Sequence, residues 1–408
     1  MSNRLQALWN EFPRQFWILF GGTLINSLGN GMVFPFMTLY LHEQLNLSLT
    51  LVGFALTLWA GSGVAGQLIG GSLSDQFGRR KLMLFSLISS AILLPIFGLA
   101  DSFASAAAVA VLLGIFGSMY QPARDAMVAD LVGSDKRPQA YGLVRVVSNL
   151  GIAIGPAIGG FLATRSYLLA FTVSAAATFA FFLVSVLFIR ETRPAVVLRD
   201  PAQPAPGTFL SVLSNIPFVV FSAATTFVIL AAVQMMTVLP VYMNDQFGLG
   251  ASYFGWVMTT NAGLVVLFQF PITRATQKLP RLPLMATGAL LYAAGVGSVM
   301  FGNAFPHFIA AMVIVTLGEM IISPTATSVT ADLAPADMRG RYMSVLGLTW
   351  TLGFGLGPVL GGIVSDQIAP RALWPAMASA ALAGGIAYLV LARFLATREP
   401  RAVITPAD

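Results

Sequence analysis

A carboxylate in a long apolar stretch needs a reason, and Glu319 sits in the middle of one, V-T-L-G-E-M-I-I-S-P. A charge at the centre of a bilayer costs about 2.5–3.5 kcal/mol on insertion scales. A carboxyl there can hold a proton in one state and release it in another, which makes Glu319 the proton-coupling candidate. Three further charged groups, Arg124, Asp125 and Arg145, lie near inner helix ends and are expected to pair with one another or with Asp130. The amides Asn26, Asn30, Gln234 and Asn261 fall within apolar segments, where they would line a cavity or bond between helices. Asn26 and Asn30 are four residues apart and share a helix face. Phe34 and Met235 are expected beside them as apolar lining, methionine being able to repack around varied ligands. Tyr40 and Tyr242 stand at outer helix ends, where an amphipathic ring marks the membrane interface.

Other chemistry is thinly represented. The chain has no cysteine and two histidines, His42 and His307. Disulfides and thiolate metal sites are excluded, and no metal-ligand spacing, paired catalytic set or phosphate-cradling loop is present. We therefore expect no enzyme activity, no metal and no cofactor, with a proton gradient as the energy source.

The elements that must position these residues follow from composition. The chain has 408 residues, 57% hydrophobic and 9% charged; its mean hydropathy is +0.80. A soluble domain carries about 25% charged residues, so the excess apolar surface must face lipid. A bilayer takes about 20 apolar residues per helix. Twelve such spans are predicted, at roughly 16–41, 48–73, 82–100, 105–131, 139–164, 167–189, 212–243, 252–273, 283–302, 306–331, 340–364 and 371–395. Residues 190–211, rich in proline and charge, read as a linker. The expected units are an N-terminal six-helix bundle over 1–189, a cytoplasmic linker over 190–211, and a C-terminal six-helix bundle with a short tail over 212–408. Of the 22 Lys and Arg, 20 fall on one side of these spans. That bias places both termini and the linker in the cytoplasm, so the +6 charge reads as a topology signal and not as nucleic-acid binding.

The two halves repeat. Gly151, Gly155, Pro156, Gly159 and Gly160 recur 202 positions later as Gly353, Gly357, Pro358, Gly361 and Gly362. The same offset maps Tyr40 onto Tyr242, Gly53 onto Gly255, Pro122 onto Pro324, Asp130 onto Asp332 and Asp135 onto Asp337. Parallel repeats of this size in an apolar chain imply a transporter with its site between the halves.

Between the second and third spans the chain reads G-S-L-S-D-Q-F-G-R-R-K, residues 71–81. Gly71, Asp75, Gly78, Arg79 and Arg80 occupy a tight basic turn, with Asp130 as a second carboxylate for Arg79. This pattern resembles the loop 2–3 signature of the major facilitator superfamily, and the resemblance covers nearly the whole chain. It implies an all-α polytopic membrane protein, with twelve transmembrane helices in two pseudo-symmetric six-helix bundles. It also implies that Asp75, Arg79 and Asp130 form a gate holding the cytoplasmic side in its outward-open state. The second-half loop, 273–281, is degenerate: Gln277 stands for Asp75 and Pro280 for Gly78. A full lock is therefore not expected there. The glycines and proline of 151–160 resemble the span-five motif of the proton-coupled drug-antiporter branch. The chain departs from that branch at Ala110, where relatives carry an arginine, and it lacks a span-one acid. The expected function is proton-coupled efflux of lipophilic or weakly cationic small molecules by alternating access. The alternative is a facilitator or proton symporter for a specific metabolite such as a sugar. The expected setting is a bacterial inner membrane, with a monomer in contact with lipid, protons and a small-molecule substrate.

Overall fold

The computed structural model describes Trp9 and residues 11–133, 136–192, 212–335 and 338–397. Arg4, Arg193, Arg199, Arg398 and Arg401 of the basic set, Asp135 and Asp337 of the repeat, and most of the 190–211 linker lie outside the described residues. Within them the chain is helical and has no strand. The first half runs α1 Arg14–Leu45, α2 Leu49–Phe77, α3 Arg79–Gly98, α4 Phe103–Ser118, α5 Tyr120–Leu131, α6 Arg137–Ala163 and α7 Tyr167–Phe188. The second runs α8 Ile216–Thr237, α9 Leu239–Phe247, α10 Ala251–Thr276, α11 Arg281–Ser298, α12 Phe305–Leu333, α13 Arg339–Gln367 and α14 Leu373–Ala396.

Expected spans four and seven are each jointed. Met119 separates α4 from α5 and Val238 separates α8 from α9, both with right-handed helical angles, so these are bends and not breaks. Pro122 and Pro240 stand in the first turn after each joint, where a missing N–H is tolerated. Eleven segments among the described residues are long and apolar enough to cross a membrane. The remaining span, α1, is 32 residues long. Arg14, Asn26, Asn30, His42 and Glu43 dilute its apolar character, while α6 and α7 pack along it.

Local signals set several boundaries. The Ser48 hydroxyl accepts the Leu51 N–H at the start of α2, and Asn215 accepts the Phe218 N–H at the start of α8. The repeat mates Asn46 and Gly248 both take left-handed backbone and end α1 and α9. Each half also buries its first helix: α1 packs on α6 and α7, and α8 packs on α13 and α14. Tyr40 and Tyr242 lie inside these packings, each 3% exposed, and not at the lipid interface. Tyr40 donates to the Ala100 carbonyl at 2.9 Å, and the Tyr242 ring meets Phe247, Phe308 and Trp374.

The halves join through two symmetry-related contacts, α2 on α13 and α6 on α10. Both lie toward the face opposite the basic loops. A Cβ added to Gly160 would stand 2.9 Å from the Ala251 carbonyl oxygen and 3.1 Å from the Gly255 Cα. A Cβ on Gly362 would stand 2.5 Å from the Leu49 backbone, and Leu49 is the repeat mate of Ala251. The remaining motif glycines face inward within each half: Gly151, Gly155 and Gly159 meet α1, and Gly353, Gly357 and Gly361 meet α8. Polar links finish the seal. The Asp366 carboxylate accepts the Thr50 N–H and hydroxyl, each at 2.7 Å, at the N-terminus of α2. The Thr57 hydroxyl donates to the Gly355 carbonyl.

His42 supplies a titratable link in the same seal. Its Nδ1 faces the Leu47 carbonyl at 2.7 Å and its Nε2 faces Asp245 at 2.8 Å. Both partners are acceptors, so the linked ring is an imidazolium. The Asp245 hydrogen bond lifts the His42 pKa above 6.5, against an opposing effect of burial, and the charges of Asp245 and Glu43 add to the rise.

The seal can be tested at its glycines and at its histidine. Gly160→Leu together with Gly362→Leu is expected to widen the distance between spin labels on cysteines introduced at Asn46 and Ile368 by several ångströms. An unchanged distance would show that the glycine contacts do not hold this face. Because the His42 pKa is raised in the closed arrangement, the link is complete below about pH 6.5 and is lost as pH rises through the raised value. The label distance should therefore grow with alkalinity in the parent chain, and His42→Gln should flatten that dependence.

Candidate functional site

Between the sealed face and the basic loops lies a cavity of about 680 Å³. Its walls are unequal. The first half contributes only one face of α6: Arg145, Asn149, Ile152 and Ala153. The spacing explains the set, since positions three and four apart project to one side of a helix. The second half supplies everything else, from α8, α10, α11, α12 and α13. Met235, Met236, Met258, Met312 and Met343 line it, with Trp350 and Phe354.

Glu319 borders this cavity from the middle of α12, fourteen residues from either helix end. Asn261 on α10 donates to it at 2.8 Å and to the Thr316 hydroxyl at 3.0 Å, so one amide anchors the carboxyl to its own helix and to a neighbour. Gln269, further along the same side of α10, donates to the Met320 carbonyl at 3.0 Å and also borders the space. Among the lining residues Glu319 is the one anion and Arg145 the one cation, and they stand on opposite halves.

Four expected lining residues are placed elsewhere. Asn26, Asn30 and Phe34 belong to α1 and are not among the residues that line the cavity, although Asn30 is exposed. The Phe34 ring instead packs 5.3 Å from Trp59 and 5.5 Å from Phe354, which in turn stacks on Trp350. These four rings run from one half to the other beside the cavity. Gln234 is fully buried in the α8–α13 contact, where its amide donates to the Gly357 carbonyl at 2.8 Å. A Cβ on Gly361 would strike its Oε1 at 2.3 Å, so the small residues of α13 are what admit Gln234 there. Met235 and Asn261 do line the cavity.

The basic loop forms a second cluster. Arg79 Nη1 lies 2.9 Å from Asp75 and its Nε 3.2 Å from Asp130. Glu191 is the participant that the sequence did not announce. Its carboxylate accepts the N–H groups of Arg79 at 2.9 Å and Arg80 at 3.2 Å, capping the N-terminus of α3. Arg80 returns across the loop to the Val186 and Ile189 carbonyls. Gly78 has φ +100°, a conformation that favours glycine, and a Cβ there would also lie 2.3 Å from the Glu191 carboxylate. Gly71, by contrast, faces open space. In the second half Arg281 pairs with Asp332. These are the repeat mates of Arg79 and Asp130, so one limb of the lock persists where sequence reading counted only the missing Asp75 equivalent. Arg124 pairs with its neighbour Asp125 at 2.7 Å and not with Asp130, which Arg79 occupies.

Comparison with known proteins follows the same lines. A family model described as Major Facilitator Superfamily matches residues 19–253 and 223–408. The MFS-type transporter YttB of Bacillus subtilis (strain 168) is 31% identical over 88% of this chain and 91% of its own. A Na(+), Li(+), K(+)/H(+) antiporter of Planococcus maritimus is 27% identical, covering 80% of this chain and 84% of its own. Multidrug resistance protein MdtH of Salmonella paratyphi B is 26% identical, covering 93% and 94%. Among solved structures, a mutant form of the nucleoside transporter NupG superposes with a TM-score of 0.79 at 10% identity over 93% of this chain and all of that one, a likeness of fold alone.

The Gly78–Glu191 contact makes a stability prediction. Gly78→Ala should destabilise the chain by about 1–3 kcal/mol, the cost of a side chain in a glycine-only backbone region. Thermal unfolding in detergent measures it. In a Glu191→Ala background the loss should shrink; equal losses in both backgrounds would show that Glu191 does not crowd this position.

Proposed function

This chain belongs to the major facilitator superfamily, and from that premise we propose that it exports lipophilic or weakly cationic small molecules in exchange for protons. The observation that carries the reading is Glu319, a lone carboxyl held by Asn261 in the wall of a mostly apolar cavity that includes methionine and aromatic side chains. A proton and a cation compete for such a group. When the cation binds, the carboxyl is ionised; when a proton arrives, the attraction is removed and the cargo leaves. The polarizable thioethers fit apolar bodies of varied shape. The names of two relatives, a multidrug resistance protein and a cation/proton antiporter, support the same reading.

With the basic loops in the cytoplasm of a bacterial inner membrane, the face sealed by Gly160 and Gly362 is the outer one. The arrangement is then inward-facing. Exchange requires the opposite state, in which that seal opens and the basic face closes. In the present arrangement Asp75 is 73% exposed and, among the described residues, pairs with Arg79 of its own half. A closed basic face would bring α13 toward it.

Glu319→Gln keeps the size and hydrogen-bonding shape of the side chain while removing its titration. In proteoliposomes it is expected to reduce substrate-induced proton flux at least tenfold, with the unfolding midpoint nearly unchanged. Undiminished proton-coupled flux would remove Glu319 from the mechanism. Proton and substrate moving in the same direction in the parent protein would favour a symporter.

A further inference from the structure

Glu319 is not the cavity's only charge. Arg145 lies on α6 five residues, about 7.5 Å, from the helix midpoint on the side of the basic face. Neighbouring cations are engaged: Arg79 with Asp75 and Asp130, Arg124 with Asp125, and Arg137 with the Ala129 and Val132 carbonyls. The Arg145 guanidinium meets no acceptor among the described residues, although it borders the cavity. Asn149, one turn deeper on the same face, adds a donor and acceptor beside it. At depths between Arg145 and Glu319 the wall is apolar, with Val265, Ile322 and the ring of Trp350, while the thioethers of Met258 and Met312 line it beyond Glu319 toward the sealed face.

We propose that the cavity selects zwitterionic amphiphiles, with an anionic group on Arg145, an amine or other cation at Glu319, and an apolar body between them. This rests on the proposed function and narrows its substrate class. The volume of about 680 Å³ suits a drug-sized molecule. A guanidinium is the natural partner for a planar carboxylate, which it grips through two parallel hydrogen bonds. The placement has a mechanical consequence. Arg145 belongs to the first half and Glu319 to the second, so a bound zwitterion bridges the halves across the side where they diverge. It therefore binds more tightly to a state in which that side closes, which is how a ligand drives such a change. Protonation of Glu319 releases one end of the bridge.

Two dyes isolate the anionic group. Rhodamine 110 is a zwitterion carrying a free carboxylate, and rhodamine 123 is its methyl ester, a simple cation. The full chain, purified in detergent, should bind rhodamine 110 about tenfold more tightly than rhodamine 123 by fluorescence polarisation, the scale of one charge-assisted hydrogen bond. Arg145→Gln should bring the ratio of the two affinities close to one, and Arg145→Lys should restore part of it. Glu319→Gln should weaken both dyes while preserving their ratio. Proton-coupled transport of rhodamine 123 with no preference for rhodamine 110 would overturn this inference and leave the proposed function standing. Failure to bind or transport either dye would overturn both. A preference that survives Arg145→Gln would assign the carboxylate to another group and defeat the proposal.

Discussion

The architecture depends on backbone meeting backbone between the halves at one face. Apolar helices gain nothing from burial against one another in lipid, because the lipid is as apolar as the partner; close packing must hold them. Gly160 against Ala251 and Gly255, and Gly362 against Leu49, provide that closeness twice over. Since these contacts lie toward one face, the halves are pinned there and diverge toward the basic loops. The cavity is the consequence of that divergence. Its position, its opening and its bordering residues all follow from where the small residues sit along α6 and α13.

The duplication has preserved packing and let chemistry drift. Gly160 and Gly362, Gly53 and Gly255, and Asn46 and Gly248 do matching work in the two halves. The working residues of the cavity have no such mates. Glu319 corresponds to Gly117, Asn261 to Trp59 and Arg145 to Gly347. A packing contact needs a partner of matching shape in each half. A single proton-binding group and a single counter-charge need no copy, and a second buried carboxylate would carry a second desolvation cost. The unequal cavity walls, one helix face against five helices, express the same drift.

The Arg79 cluster ties this scaffold to its connections. Asp75 and Asp130 fix the arginine, and Glu191 from the start of the interhalf connection caps the helix that carries it. A change in that connection is therefore felt directly at the loop. His42 plays a comparable part at the other face, where it makes both of its bonds, to Leu47 and across the halves to Asp245, only while doubly protonated. Each end of the molecule thus has a polar device whose state depends on charge, laid over an apolar contact that does not.

Much of this was legible in the chain before any coordinates. The span limits, the repeat offset and the loop at 71–81 all appear in the structure near their expected positions, because bilayer thickness and helical rise constrain local sequence directly. Glu319 stood out for the same reason, an ion where ions are costly. Asn26, Asn30 and Gln234 were equally conspicuous as polar residues in apolar spans, yet they do not border the cavity. Their spacing gave the shared face, but not which way that face turns. Helical, membrane-borne and duplicated are therefore properties that the sequence alone determined. Which side chains share the cavity was decided by tertiary structure, because the rotation of each helix about its own axis is set by distant partners, such as Gly31 meeting Gly155 or Gln234 wedged against Gly361. No local pattern encodes that angle.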